Sequence, residues 1–102
     1  METAISLRVE GFVLEGFWAQ RSLTQAAIVT HPHPLYGGDM DNSVVKSVAT
    51  AYAGLGWSTL RFNFRGTGNS SGAFDDGNGE QRDVEAAIGF LTARGCRRID
   101  LA

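Results

Sequence analysis

Apolar and polar residues alternate over much of the first nineteen positions. From Thr3 to Glu10 every second side chain is apolar, and this period predicts a strand with one buried face. Phe12 to Ala19 is predicted to form a second strand. The Glu10-Gly11 pair between the two segments is typical of a turn, so we expect an N-terminal hairpin.

The next apolar run is short and ends abruptly. Ala26 to Thr30 is rich in β-forming residues, which predicts a strand buried on both faces. It runs into His31-Pro-His-Pro34, where proline cannot donate to a strand ladder. After a glycine-containing loop, Asp41, Asn42 and Ser43 can each cap a helix. The apolar stripe predicted for this helix contains Val44, Val45, Val48, Tyr52 and Leu55.

A second pair of strand and helix follows. Ser58 to Phe64 alternates between apolar and polar residues, which predicts a strand. The glycine-rich segment Arg65 to Gly79 is long for a loop in a compact domain, and such loops are usually functional or disordered. Asn78 can cap the next helix, with Gln81 in the reciprocal position, and Arg98 to Ala102 predicts a further strand. The stripe predicted for this helix contains Val84, Ala87, Ile88 and Leu91.

The predicted order of elements is therefore β-β-β-α-β-α-β. Strands that alternate with helices favour an α/β fold, with a mostly parallel sheet and helices on both faces. Because no linker or repeat divides the chain, residues 1–102 are predicted to form one domain unit. The chain stops within its last predicted strand, so we expect this unit to be part of a larger domain.

The charge and the composition of the chain exclude several classes of binding partner and site. The 102 residues carry 9 basic and 11 acidic side chains, a formal net charge of −2. Nucleic acids and anionic membranes require a basic surface, so we expect no nucleic-acid or membrane binding. The N-terminus lacks the pattern of a secretory signal, and a cytoplasmic location is expected. A single cysteine, Cys96, excludes an internal disulfide and a cysteine-rich zinc site.

The segment from His31 to Asp39 joins a predicted strand to a predicted helix, where α/β proteins bind ligands. One interpretation is a rigid loop whose backbone N–H groups face a developing oxyanion, with glycines that allow close approach. A second is a metal site in which His31 and His33 join Asp39 or Asp41. A third is a structural turn whose histidines only form hydrogen bonds. The residues alone leave the three open.

Two known patterns overlap in the segment from Arg65 to Gly72. Its glycines resemble a dinucleotide-binding loop, but the spacing is one residue too long and no helix opens directly after them. Gly68-Asn-Ser-Ser-Gly72 fits the G-x-S-x-G pattern of a nucleophile elbow, which needs a strand that turns directly into a helix, and a histidine. No histidine follows Ser70 in the sequence. Ser70 is therefore expected to be a loop residue in a segment that borders a cleft, together with Arg65, Gly66 and Gly68.

Four carboxylates crowd the start of the second predicted helix, namely Asp75, Asp76, Glu80 and Asp83. The positive end of the helix dipole favours carboxylates at this place. We further expect Arg65 to pair with Glu80 or Asp83 and so to hold the long loop. Cys96, which follows the end of this helix, is expected to be a buried thiol that behaves as a small apolar side chain.

Three blocks of the sequence resemble the α/β-hydrolase superfamily. They are HPHPLYGGDMDN (31–42), LRFNFRGTGNSSG (60–72) and FDDGNGEQRD (74–83). The likeness is nearest to small bacterial proteins similar to dienelactone hydrolases and serine esterases, and it extends over nearly the whole chain. The resemblance therefore implies an α/β-hydrolase fold.

The resemblance also implies where the catalytic groups of such an enzyme lie. The loop containing His33, Pro34, Leu35 and Tyr36 would supply one oxyanion-hole N–H, and the segment from Arg65 to Gly72 would border the site. The nucleophile would follow the fifth strand, and the acid and histidine would come later still. The chain would then be the N-terminal part of a serine hydrolase and inactive alone, because it lacks all three triad residues.

The complete enzyme implied by the resemblance would cleave a carboxylic ester or similar acyl bond of a small molecule, without a metal or organic cofactor. Two other functions stay open: a non-catalytic interaction or small-ligand-binding module, and a metal-dependent hydrolase that uses His31 and His33. The last predicted strand would lie at an exposed sheet edge. A complementing chain, or a dimer formed through this strand, is therefore an expected partner.

Overall fold

The described residues, 2–32 and 38–102 of a computed structural model, form a five-stranded sheet with two helices. The strands are β1 (Thr3–Val9), β2 (Phe12–Ala19), β3 (Gln25–Val29), β4 (Ser58–Phe62) and β5 (Arg98–Leu101). The helices are α1 (Ser43–Gly54) and α2 (Asn78–Ala93). In the described part of the chain, neither helix is long and apolar enough to cross a membrane. The predicted order of elements is confirmed.

Across the sheet the strands follow the order β1-β2-β4-β3-β5. The pairs β1–β2 and β2–β4 are antiparallel, whereas β4–β3 and β3–β5 are parallel. Glu10 and Gly11 form the turn of the predicted hairpin in the left-handed region, with φ of 51° and 86°. Because β3 and β4 run in the same direction, the loops that follow them leave from the same edge of the sheet.

The helices pack against opposite faces of the sheet. On the α2 face, the largest fully buried apolar side chains are Leu14, Ile28, Leu60, Phe62 and Leu91. On the α1 face, Val45 and Ala49 pack against Val29 of β3. This arrangement confirms the predicted α/β fold with helices on both faces.

The predicted apolar stripe of α1 is partly wrong. Val45 and Ala49 face the sheet, whereas Val44 and Leu55 are 65% and 72% exposed. Residues one apart on a helix point about 100° away from each other, so Val44 cannot share the face of Val45. Of the three predicted caps, Asn42 caps α1, and its side chain accepts the Val44 N–H at 2.8 Å.

The start of α2 also differs from the prediction. Gly77, with φ of 91°, is the N-cap instead of Asn78, and Glu80 instead of Gln81 accepts the Gly77 N–H at 3.1 Å. The buried face of α2 runs through Asp83, Ala87 and Leu91, which are four residues apart. Ile88 lies beside this face and is 40% exposed, contrary to the prediction.

Candidate active site

His31 lies where β3 ends, and its ring joins the ends of the two parallel strands. The Nε2 atom accepts the backbone N–H of Phe64 at 3.1 Å, so the proton is on Nδ1, which donates to the Pro32 carbonyl at 2.7 Å. The ring is buried and packs edge-on against the Phe64 ring, with centroids 4.9 Å apart. Both ring nitrogens are therefore engaged within the protein.

Of the three interpretations of this segment, this geometry opposes the metal site and favours a positioning role for His31. A metal ligand needs a free imidazole nitrogen, and His31 offers none in this arrangement. Within 2–32 and 38–102, no group of three or more histidine, cysteine, aspartate or glutamate side chains is placed to hold a metal ion. His33 lies outside the described residues, as do Pro34, Leu35 and Tyr36 of the predicted oxyanion loop.

Arg61 near the end of β4 and Asn63 directly after this strand hold the backbone of Met40, which follows the undescribed residues 33–37. The side-chain oxygen of Asn63 accepts the Met40 N–H at 2.7 Å, and Arg61 Nη1 donates to the Met40 carbonyl at 2.6 Å. Arg61 and Asn63 are only 7% and 3% exposed. Both backbone groups of Met40 are therefore fixed by buried side chains from a neighbouring strand.

Glu15 of β2 links the same region to the glycine-rich loop. Its carboxylate accepts from Asn63 Nδ2 at 2.7 Å and from the Asn69 backbone N–H at 2.6 Å. Gly68, with φ of 57°, lies directly against this pair, because a Cβ there would be 2.5 Å from both Asn63 Nδ2 and a Glu15 carboxylate oxygen. Glycine is required at this position both for its backbone conformation and for space.

Ser70 is part of the loop's internal structure. Its hydroxyl donates to the Asn63 carbonyl at 2.7 Å and accepts the Glu15 N–H at 2.9 Å, and the residue is 7% exposed. The next helix begins only at Asn78, so the strand-to-helix turn of a nucleophile elbow is absent here. The geometry agrees with the expectation that Ser70 is a loop serine and not a nucleophile.

Arg65 fixes the other end of the glycine-rich loop. Its guanidinium donates through Nε and Nη2 to the carboxylate of Asp83, at 3.1 and 2.8 Å to Oδ1, and its backbone N–H donates to the same carboxylate. Asp83 is fully buried on α2, and Nη2 also reaches Glu10 at 3.1 Å. Hydrogen bonding to Asp83 raises the pKa of Arg65 above its ordinary value. Of the two partners predicted for Arg65, Asp83 is the one it binds.

A cavity of about 240 Å³ opens at this edge of the sheet. Its lining residues include His31, Pro32, Phe64 and Phe74, with Asp76 and Glu80 as the charged members. The carboxylate of Glu80 accepts the backbone N–H groups of Asp75 and Gly77, whereas Arg65 pairs with Asp83 and Glu10. The walls are mainly aromatic and apolar, which suits a small uncharged group.

Cys96 takes no part in this site. It is 7% exposed and belongs to the apolar cluster on the α2 face. Burial raises the pKa of its thiol, which disfavours the reactive thiolate at neutral pH. The prediction of a buried thiol is confirmed.

One polar cluster was not predicted from the sequence, namely that of Glu2, Glu15, Asp41, Arg61 and Asn63. The alternation over residues 58–64 was interpreted only as a sign of a strand. A usable signal was present, since a strand between two helical layers is normally apolar on both faces. Arginine and asparagine at alternate positions of such a strand indicate buried partners that satisfy them.

Comparison with known proteins places this geometry in a family. The chain is 45% identical over 80 residues to an uncharacterized protein of Rickettsia prowazekii, a match that covers 76% of this chain and 34% of the relative. It is 35% identical to a solved α/β serine hydrolase homologue from Coxiella burnetii, with a TM-score of 0.87 over 97% of this chain and 50% of that protein. For a solved α/β serine hydrolase without a lid from Xanthomonas campestris, the values are 35% identity, a TM-score of 0.88, and coverage of 98% and 49%.

No protein-family model matches the sequence. The chain spans about a third of its curated relative and about half of each of these two solved proteins. At this level of identity and with this superposition, both the sequence and the strand arrangement are those of α/β hydrolases. The chain therefore belongs to the α/β-hydrolase superfamily, and its described strands and helices form part of that fold.

Proposed function

We propose that this chain supplies the oxyanion-hole portion of a serine hydrolase that cleaves a carboxylic ester or a similar acyl bond. The observation that carries the proposal is the way in which the described chain is held on either side of residues 33–37. Before them, His31 binds the Phe64 N–H, and after them, Asn63 and Arg61 hold Met40. We infer that backbone N–H groups between these two held points would meet a developing oxyanion with little reorganisation.

The cavity lined by His31 and Pro32 supports the same function. Its aromatic walls give room for a small uncharged acyl or alcohol group. Asp76 and Glu80 in its lining disfavour substrates with a carboxylate at that position, because like charges repel in a partly desolvated site. The substrate that fits these features is a small neutral ester.

The chain would not complete the acyl transfer by itself. Among residues 2–32 and 38–102, no serine hydroxyl forms a hydrogen bond with a histidine, and the hydroxyl of Ser70 is engaged by Asn63 and Glu15. A serine nucleophile needs an adjacent general base. The nucleophile, base and acid would then come from polypeptide outside these 102 residues, on the same chain or on a complementing one.

The edge next to β5 is where such polypeptide would join the sheet. β5 pairs with β3 on one side and is the last strand in the sheet order, with Leu101 59% exposed. A groove of about 440 Å³ beside it is lined by Val29, Val44 and Val48 together with Ala102. A further strand and helix would cover these apolar groups.

The cytoplasmic location expected from the sequence remains a prediction.

Labelling with a fluorophosphonate, which reacts with activated serines, tests the proposal. We expect no labelling of the purified 102-residue chain. We expect labelling of the native polypeptide or complex that contains it, at a serine outside residues 1–102. Labelling of the short chain that is lost in Ser70→Ala would contradict the proposal. A native protein with a mass of 11.0 kDa, without a partner and without labelling, would instead support a non-catalytic module.

A further inference from the structure

A second cavity, of about 470 Å³, lies between α1 and the strands and shares no lining residue with the first. Its charged and hydroxyl-bearing side chains are Glu2, Arg21, Lys46, Thr50, Thr59 and Arg61. Lys46 and Thr50 are one turn apart on α1, and Thr59 and Arg61 point to the same face of β4. The cavity thus collects three cations but only one carboxylate.

The most buried of these cations is held rigidly. Arg61 is 7% exposed, and its Nη1 donates to the Met40 carbonyl and to Asp41 at 2.9 Å. The ring of Phe17 lies under its guanidinium, with 4.7 Å from Cζ to the ring centroid. A guanidinium fixed in this way presents its remaining donors in one direction, which is the geometry that binds oxyanions in two-point fashion.

Glu2 already occupies those donors. Its carboxylate accepts from Arg61 Nε at 2.8 Å and from Nη2 at 2.9 Å. Hydrogen bonding to Arg61 lowers the pKa of Glu2, and the charges of Arg21 and Lys46 lower it further. A carboxylate that precedes β1 and has a side chain 31% exposed therefore marks the place where this cavity stabilises an oxyanion.

We propose that this cavity is a binding site for a phosphate dianion and that Glu2 is its intramolecular competitor. Glu2 and Asp41 both pair with Arg61, so two carboxylates face the three cations Arg21, Lys46 and Arg61 and one positive charge stays uncompensated. A dianion in place of Glu2 would, together with Asp41, balance all three cations. The hydroxyls of Thr50 and Thr59 add donors that suit a tetrahedral group. A net charge of −2 on the whole chain disfavours a polyanion as the ligand and favours a small molecule.

Titration of the 102-residue chain with inorganic phosphate, followed by ¹⁵N NMR at constant ionic strength, tests the site. We expect saturable shifts at Arg21, Lys46 and Arg61. Removing the competitor in Glu2→Gln should tighten binding about fivefold, and removing one cation in Lys46→Ala should weaken it about fivefold, as losing one partly screened charge contact implies. Arg97→Ala, which removes the same charge at an exposed residue outside the cavity, is the matched control and should bind like the wild type.

Glu2 and Lys46 are exposed, so both variants should fold like the wild type. A spectrum that differs from the wild type beyond the substituted position would identify a misfolded variant. A parallel titration with phenyl phosphate distinguishes the sources of the group. Tighter binding of the ester would support a phosphate monoester as the ligand, and equal binding would support free phosphate. Shifts that do not saturate, or the same loss of affinity in Arg97→Ala as in Lys46→Ala, would overturn the proposal.

Discussion

On the α2 side of the sheet β4 carries the buried apolar side chains of Leu60 and Phe62, whereas the α1 side carries buried polar side chains, among them those of Arg61 in β4 and of Asn63 directly after it. The first pair packs against apolar neighbours and contributes stability through burial. The second pair is bound to the backbone of Met40 and to carboxylates, and contributes the position of the chain after β3. Alternate residues along this stretch of chain thus pack in the apolar core on one side of the sheet and position the candidate site on the other.

The largest effect is expected on the apolar face. Phe62 is fully buried, and Phe62→Ala removes a ring that no neighbour can replace. We expect the free energy of unfolding to fall by about 4 kcal/mol. Urea unfolding followed by circular dichroism measures it. Val44→Ala, at a side chain that is 65% exposed, should change stability by less than about 0.5 kcal/mol. An equal loss of unfolding free energy in the two variants would contradict the placement of Phe62 in the core.

A slightly smaller loss is expected where the glycine-rich loop is tied to α2. Asp83→Ala leaves the buried guanidinium of Arg65 without its main partner, which costs about 3 kcal/mol. The loop should also become more sensitive to proteolysis between residues 65 and 77. Glu85→Ala, at an exposed position of the same helix, is the control and should change neither. Unchanged proteolysis in Asp83→Ala would show that this ion pair does not hold the loop.

The close approach of Gly68 in the glycine-rich loop to Asn63 and to Glu15 of β2 gives an intermediate effect. Gly68→Ala places a methyl group against Asn63 and Glu15 at a backbone conformation that alanine disfavours, and we expect a loss of about 2 kcal/mol. Gly54→Ala is the matched control, because no atom would lie within 4 Å of its Cβ and it ends a helix. That variant should be as stable as the wild type or slightly more so. An unchanged free energy of unfolding in Gly68→Ala would contradict the close approach of Gly68 to Asn63 and Glu15.

The smallest effect concerns acid sensitivity. Because Arg61 lowers the pKa of Glu2 in the folded state, the unfolded chain binds this proton more readily, and stability is lost as the pH falls below the ordinary value of 4.5. Glu2→Gln should remove this contribution, which we expect to be under about 1 kcal/mol for a partly exposed pair. Urea unfolding at about pH 3 and about pH 7 measures the difference, and high salt should reduce it. An equal pH dependence in both proteins would contradict the Glu2–Arg61 pairing.

The fold could be predicted from the sequence because local pattern determines most of it. The hairpin, the five strands and the alternation of helices all followed from apolar period and from glycine and proline positions, and strand bounds differ by two residues at most, as in β4. The faces of the helices were harder to predict. Ile88 and Val44 are apolar but exposed, because the neighbours that determine which side is covered lie on distant strands.

The candidate site was predictable only where a charged residue had opposite charges close to it in the sequence. Arg65 was expected to bind a carboxylate at the start of the second helix, and it binds Asp83. The cluster around Arg61 and Asn63 was missed, since its members come from residues as far apart as Glu2 and Asn63. Their juxtaposition depends on the strand order β1-β2-β4, which the alternation of residues does not specify.

The central claim is that the buried side chains of Arg61 and Asn63 fix the backbone of Met40, shortly after residues 33–37 in the sequence. Amide hydrogen exchange at Met40 tests it most directly, because that N–H donates to Asn63 at 2.7 Å. We predict a protected Met40 amide in the wild type and exchange at least about tenfold faster in Asn63→Ala, relative to the amide of Leu60 in β4. Equal exchange of Met40 in the two proteins, or an unprotected amide in the wild type, would contradict the claim.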